Sequence, residues 1–284
     1  MNQVASSNAS AVEGILSRTN ELAVLPHVVH KVLELTASDD ASAHDVESAI
    51  AIDPGFTSRL LVLANSAAFG LPRRVTSIRE AVMFLGYRTV RSAALTVGVF
   101  DIFVGKTDRD SLRRREWWRH SVDTAICARY LAKSTEKVPL EDAYTSGLLH
   151  LIGKMLLDKY GNKPYDDVQR MVDQGTADYV AETQVYGLDH SEVAAAAAAK
   201  WNLPAALQSG LRYLEPAEPD DPFAALRACT TVSTMMAIWA MNGPQQEGSE
   251  CLTWALERLG LGALSMVDLG AEGRRAISEA EFRI

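Results

Sequence analysis

The sequence predicts an all-α fold of ten or more short helices. Three observations carry this. Apolar residues recur with the 3.6-residue helical period in almost every patterned stretch. Capping residues and Gly/Pro breaks bracket those stretches. No apolar/polar alternation of the strand type runs beyond a few residues, and no tandem repeat is present.

The first helix carries Val28, Val29, Val32, Leu33 and Leu35 near one face and stops at Ala37-Ser38-Asp39-Asp40. The next opens at Ser42-Ala43-His44-Asp45, where Ser42 can accept from an orphan N–H and Asp45 suits the positive end of the dipole. Val46, Ala49 and Ile50 form its apolar stripe. Asp53-Pro54 starts a third helix, because Asp caps and Pro at the first helical position loses no hydrogen bond. Its buried set is Phe56, Leu60, Leu61, Leu63 and Ala64. In Asn65-Ser66-Ala67-Ala68-Phe69-Gly70, Gly70 suits a left-handed closing position and Leu71-Pro72 prevents continuation, so the segment fixes a turn. Ser77-Ile78-Arg79-Glu80 reads as a capping box before Ala81, Val82, Phe84 and Leu85. Gly86 ends that helix and another runs from Arg88 to Val104.

Lys106 to Asp110 is a polar connector and the best internal boundary. Helices follow near 111–133, 140–159, 164–186, 190–201, 204–214 and 222–241, with Asp189 capping the one that begins at His190. Residues 194–199 are all alanine, which favours helix and close packing, so the run is a packing surface. The segment 243–249 breaks the pattern. A short helix near Cys251–Leu259 and a weaker one near the end complete the chain.

Composition narrows the class. The chain has 284 residues, 48% hydrophobic and 23% charged, ordinary for a globular protein with a sizeable core. No stretch approaches the roughly 18 apolar residues of a membrane span, and the N-terminus lacks the basic and apolar regions of a secretory signal. Three well-separated cysteines (Cys127, Cys229, Cys251) form neither a disulfide ladder nor a zinc knuckle, so a reducing cytoplasm is the expected compartment. The net charge is −8, yet residues 54–120 carry a local +7 and residues 121–284 a local −9.

Enzymatic signatures such as GxxxxGK[ST], GxSxG and HExxH are absent, which leaves the six histidines to carry the question. His27 and His30 share a turn without a carboxylate or cysteine to complete a metal set, and read as surface or packing residues. His120, His150 and His190 each lie in a long helical segment, in the contexts Trp118-Arg119-His120-Ser121, Gly147 to Gly153, and Gly187 to Glu192. A second constellation joins Lys106, Arg109, Arg113, Arg114, Arg115 and Arg119 to Trp117 and Trp118. Arginine beside exposed tryptophan binds anions, protein partners or bases. The favoured reading puts the tryptophans toward the core and the arginines on a solvated face. Nucleic acid is disfavoured because the pI is 5.3, far below the basic range of such domains.

The spacing of His120, His150 and His190 resembles the HD superfamily of metal-dependent phosphohydrolases. The resemblance narrows to the HDOD (HD-related output) domain through Asp53-Pro54, Leu60-Leu61, the 64–70 segment, Ser77-Ile78, Ala81, Leu85-Gly86 and Trp201-Asn202-Leu203-Pro204. It runs from about Leu25 to about Met241. It implies a two-lobed fold: a flexible segment 1–19, an N-terminal helical lobe 20–107, a degenerate HD-like lobe 108–241 and a tail 242–284.

The departures from the pattern decide the functional expectation. Where the superfamily has His-Asp, this chain has His150-Leu151. Where many relatives have His-His-Glu-Pro, it has Tyr213-Leu214-Glu215-Pro216. The distant aspartate falls at Cys229–Ser233, around Thr230, without a carboxylate. Leu151 offers no donor, and the carboxylates that clamp two metals are missing. His120, His150, Leu151, His190, Tyr213 and Thr230 are therefore expected to be vestigial positions, with no catalytic residue, no metal and no cofactor. The resemblance implies a bacterial, cytoplasmic signal-transduction module that binds a signalling protein in trans, or a small ligand, at the histidine cleft or between the lobes. Two alternatives stand beside it: a metal-dependent phosphohydrolase with a rearranged site, and a nucleic-acid-associated regulator using Arg113–Arg119.

Overall fold

The computed structural model describes residues 26–38, 40–104, 111–243 and 249–280, with Gly14 alone before them. The described residues are helical throughout and contain no strand. Four helices come first: α1 (His27–Ala37), α2 (Ala43–Ala51), α3 (Pro54–Ala64) and α4 (Ile78–Val104). The middle of the chain forms α5 (Ser111–Thr135), α6 (Leu140–Leu149), α7 (Ile152–Tyr160), α8 (Asp166–Asp173), α9 (Asp178–Tyr186), α10 (His190–Lys200) and α11 (Ala205–Gly210). The last three are α12 (Ala224–Asn242), α13 (Glu250–Leu259) and α14 (Met266–Ala280).

Local chemistry sets the starts. Ser42 and Asp45 form a complete capping box for α2, and Asp189 and Glu192 form one for α10. Asp53 accepts from the Phe56 N–H at 2.9 Å, with Pro54 in the first turn of α3. At α4 the box is displaced by one residue: Ser77 accepts from the Glu80 N–H, but the Glu80 carboxylate reaches the Thr76 N–H. Gly86 (φ 78°, ψ 166°) divides α4, as its position in the sequence predicts. Asn65 bonds the Leu61 carbonyl and both backbone groups of Val75, closing the 65–75 turn. Gly70 is left-handed there, but it ends a separate 3₁₀ turn, Ala67–Phe69, rather than α3 itself.

Three expected helices are shorter than their apolar pattern. The 140–159 segment breaks at His150-Leu151. In an unbroken helix the Gly147 carbonyl would accept from the Leu151 N–H, whereas here the His150 ring takes that carbonyl at 2.6 Å. The 164–186 segment breaks at 174–177, where Gly175 is left-handed (φ 93°) and the Thr176 N–H caps the Met171 carbonyl. The 204–214 segment keeps only Ala205–Gly210 as helix. The terminal helix is the opposite case, since α14 runs 15 residues. The expected flexible segment 1–19 (apart from Gly14), the Lys106–Asp110 connector and most of 243–249 lie outside the described residues.

One apolar core runs from Val28 to Ala280. The α12 helix is its axis, packing on α5, α6, α11, α13 and α14, while α5 lies on α6. Within the alanine run of α10, Ala194, Ala197 and Ala198 are buried. The α10–α7 contact is tight enough that a Cβ on Gly153 would land on the His190 carbonyl. That crossing and the break at His150 bring α5, α6, α7, α9 and α10 to one place.

Candidate functional site

Four aromatic side chains converge there. His120 projects from α5, His150 sits at the α6–α7 break, His190 opens α10, and Tyr213 follows α11. Ring centroids are 5.2 Å apart for His120–His150, 5.3 Å for His150–Tyr213 and 5.8 Å for His190–Tyr213. His150, His190 and Tyr213 are buried, while His120 retains partial exposure.

A directed hydrogen-bond chain fixes His190. Its Nδ1 donates to Glu182 Oε2 at 2.6 Å, its backbone N–H donates to the same oxygen at 2.9 Å, and the Tyr165 hydroxyl donates to Glu182 Oε1 at 2.6 Å. On the other side the Tyr213 hydroxyl lies 2.6 Å from His190 Nε2. Burial first, then the carboxylates of Asp178 and Glu182, push the Tyr213 phenol well above its ordinary value, so it stays protonated and donates. Both ring nitrogens of His190 are therefore committed.

His150 is held differently. A carbonyl can only accept, so Nδ1 is the donor to Gly147. Burial, then neighbouring His120, drive the imidazole well below its ordinary pKa and keep it neutral. That leaves the Nε2 lone pair buried and without a hydrogen-bond partner among the described residues. His120 is pushed down to about 4, first by burial and then by the Lys154 ammonium.

Lys154 supplies the cation of this site. Its ammonium is ion-paired to Asp178 and lies 5.9 Å from the Trp117 ring. Burial opposes its charge, but Asp178 and then Glu182 outweigh that, and the lysine is held above its ordinary pKa. Reciprocally, burial would raise Asp178, yet Lys154 and then His190 bring its carboxyl below the usual range.

These residues do not fit a divalent-metal centre. Such a centre needs at least three protein donors with free lone pairs. His190 has none left, His120 and His150 offer one nitrogen each, Leu151 offers nothing, and a fixed ammonium already carries the positive charge. Among the described residues no three of His, Cys, Asp or Glu stand close enough together to hold a metal ion.

Comparison with known proteins places this geometry. The family model for the HDOD domain matches residues 22–216. The chain belongs to the HDOD family. An HDOD domain protein of unknown function from Geobacter sulfurreducens has the same fold, with 25% identity, 96% of this chain and 95% of that one covered, and a TM-score of 0.75. A Shewanella amazonensis SB2B protein provisionally described as a phosphohydrolase aligns at 24% identity over 93% of both chains with a TM-score of 0.70, a likeness that shows the fold alone. An uncharacterized Treponema pallidum (strain Nichols) protein is 27% identical over 201 residues, which is 70% of this chain and 38% of the relative. The chain thus spans well under half the length of that curated relative. No helix among the described residues is long and apolar enough to cross a membrane.

In this HDOD chain the remaining sequence-expected positions are dispersed. Thr230 is buried, but its hydroxyl faces Ser146 at 2.7 Å and the Leu226 carbonyl at 3.1 Å, apart from the hydrogen-bond chain of the histidines. The arginine face is corrected. Arg114 is buried and its Nε meets Asp158 at 2.6 Å, while Arg113 bridges Asp158 at 2.6 Å and Asp166 at 2.9 Å. Trp118 is buried against Phe100 and Phe103, Trp117 stacks edge-on with Tyr165, and among the described residues of the group Arg115 and Arg119 are exposed, while Lys106 and Arg109 lie outside the described residues. The sequence reading missed Lys154, Tyr165, Asp178 and Glu182. Lys154 had a signal, lying one helical turn beyond His150. The other three come from α8–α9, where nothing in the local pattern points at the histidines.

Proposed function

We propose that this HDOD chain is a non-catalytic regulatory module that acts by binding a signalling protein or small ligand. The observation carrying the proposal is the closed state of the histidine cluster. His190 is saturated on both nitrogens, and Lys154 supplies a permanent charge where a hydrolase would need an exchangeable cation. His190, bonded on both nitrogens, has no lone pair left to take a proton from water, and the remaining nitrogen of His150 is buried away from solvent. Glu182 and Tyr165 orient His190, His190 holds Tyr213, and Asp178 holds Lys154; each contact rigidifies the junction of α7, α9 and α10. Arg113 and Arg114 serve that same rigidity through Asp158, which speaks against the nucleic-acid alternative.

The test is an assay of the full chain against nucleotides and cyclic dinucleotides with added manganese, alongside metal analysis of tag-free protein. No turnover and well under one metal ion per chain are expected. Manganese-dependent phosphoester cleavage that disappears in His150→Ala would overturn the proposal.

A further inference from the structure

The histidine cluster leaves one buried acceptor unserved, at the seam between α5 and α6. We propose that this seam is a binding site for a small neutral hydroxyl, that of water or of a small polar ligand, seated between Ser121 and His150 Nε2. This rests on the reading above that the cluster holds no metal, and it names what the site takes in place of one.

His150 spends its ring N–H on the Gly147 carbonyl, so its Nε2 can only accept, and that atom is buried without a partner among the described residues. The Tyr213 ring stands edge-on to it at 5.3 Å, but the Tyr213 hydroxyl is committed to His190 Nε2. The hydroxyls of Ser121 and Thr124 are likewise buried and unpartnered among the described residues. Their place follows from the register of the two helices. Arg129 pairs with Glu141, a Cβ on Gly147 would lie 2.8 Å from the Ala125 Cα, and the His120 ring meets that of His150 at 5.2 Å. The helices α5 and α6 are therefore antiparallel, and residue 121 stands level with residue 150. Ser121 lies one turn before Ala125, on the face that Gly147 touches, and Thr124 borders that face. Buried polar groups in folded chains are almost always bonded, to water where the protein offers nothing. Three orphans along one seam mark a place that something else serves.

The surrounding groups select the ligand. Nε2 presents a lone pair, so the ligand has to donate; a carboxylate would meet that lone pair with its own. A cation is opposed by the Lys154 ammonium, which stands one turn beyond His150 and is fixed by Asp178. A single O–H meets the requirement, since it donates to Nε2 and accepts from the Ser121 hydroxyl, whereas an amide N–H only donates. The bridge gives a hydroxyl the two polar partners that a buried water needs. Entry is past His120, the partly exposed ring of the cluster. A hydroxyl bound there is held and not activated, because burial keeps His150 well below its ordinary pKa and makes it a poor base.

The experiment follows the ring nitrogens of isotope-labelled histidine in the full chain by NMR, in buffer containing EDTA. His150 is assigned by its loss in His150→Gln or, where that variant does not fold, through bonds from its backbone. An Nε2 signal at the hydrogen-bonded position in plain buffer, with a nuclear Overhauser contact from water to the flanking ring protons, supports the inference with water as the source. A signal at the free position that moves on adding methanol, but not acetonitrile, which has no donor, supports it with a ligand hydroxyl as the source. A free lone pair under every condition overturns it. A bonded signal without a water contact that is lost in Ser121→Ala is a direct bond from the serine and also overturns it. Ser121→Ala is expected to move the bonded signal toward the free position and to lower the urea midpoint. A midpoint that rises would show that a dry, unpartnered hydroxyl had been removed, against the inference. With EDTA present throughout, a divalent metal cannot mimic these shifts. The non-catalytic reading is decided separately, by metal content and manganese-dependent turnover.

Discussion

His120 and His150 are neutral in the folded chain because burial, reinforced for His120 by Lys154, removes the stability of their charged forms. Their folded pKa values lie below the ordinary value near 6.5. The unfolded chain therefore binds more protons between about pH 6.5 and 4, and stability must fall as pH drops through that window. Asp123 works in the opposite sense: burial, against Arg119, raises its carboxyl to about 6, so the folded chain gains protons there as pH falls. Asp178 is lowered and becomes relevant only below the carboxylate range. Two histidines against one aspartate give a net loss of about 2–2.5 kcal/mol between pH 7 and pH 5. Urea unfolding at both pH values checks this. His120→Asn should flatten the dependence and Asp123→Asn should steepen it; stability that rises on acidification would refute the assignment. At this scale the sequence exposes the three histidines through their spacing and local context. It conceals Glu182, which is buried beneath them, because a lone glutamate in a polar helix reads like any solvated carboxylate.

Helix starts were legible because a cap is a local bargain between residues three apart, as at Ser42 with Asp45 and Asp189 with Glu192. Gly86 was legible as a break in the same local way, but the break at His150 was not. The apolar period runs straight through 140–159, yet the His150 ring takes the Gly147 carbonyl and α6 ends before α7 begins at Ile152. Just beyond that break Gly153 lies against the backbone of α10. Gly153→Ala places a methyl group on the His190 carbonyl, and a backbone atom cannot step aside as a side-chain tip can. The expected cost is about 3 kcal/mol or more, at the upper end for overpacking. Gly262→Ala, with open space around it, should change stability by less than about 0.5 kcal/mol. Equilibrium unfolding of both variants makes the comparison. Similar midpoints for the two would show that the α7–α10 crossing is not the fixed point on which the histidine site is built.

Across the whole molecule, charge and core follow different boundaries from those of the sequence. The basic excess of residues 54–120 is partly consumed inside the fold, since Arg113 and Arg114 meet Asp158, a carboxylate 45 and 44 positions further along the chain. Charge counting along a sequence cannot see such pairs. The core likewise outlasts the family match, which ends at residue 216. Beyond it, α12 buries Leu226, Val232, Met236 and Trp239 against α5 and its neighbours. The α14 helix then closes over α12 through Gly270 and Gly273, where a Cβ at Gly273 would lie 2.8 Å from the Met236 carbonyl. Each large apolar side chain of α12 contributes about 1.5–3 kcal/mol, so the four together rival the whole stability of about 5–15 kcal/mol expected of such a domain. A chain ended after Pro216 should therefore lose cooperative unfolding, keep much of its far-ultraviolet helix signal and lose its near-ultraviolet signal. A chain ended after Asn242 retains α12 and should still unfold cooperatively, at a lower midpoint. If the shorter chain instead unfolded in a single sharp transition at the full-length midpoint, α12 would be an accessory to the HDOD fold and not its axis.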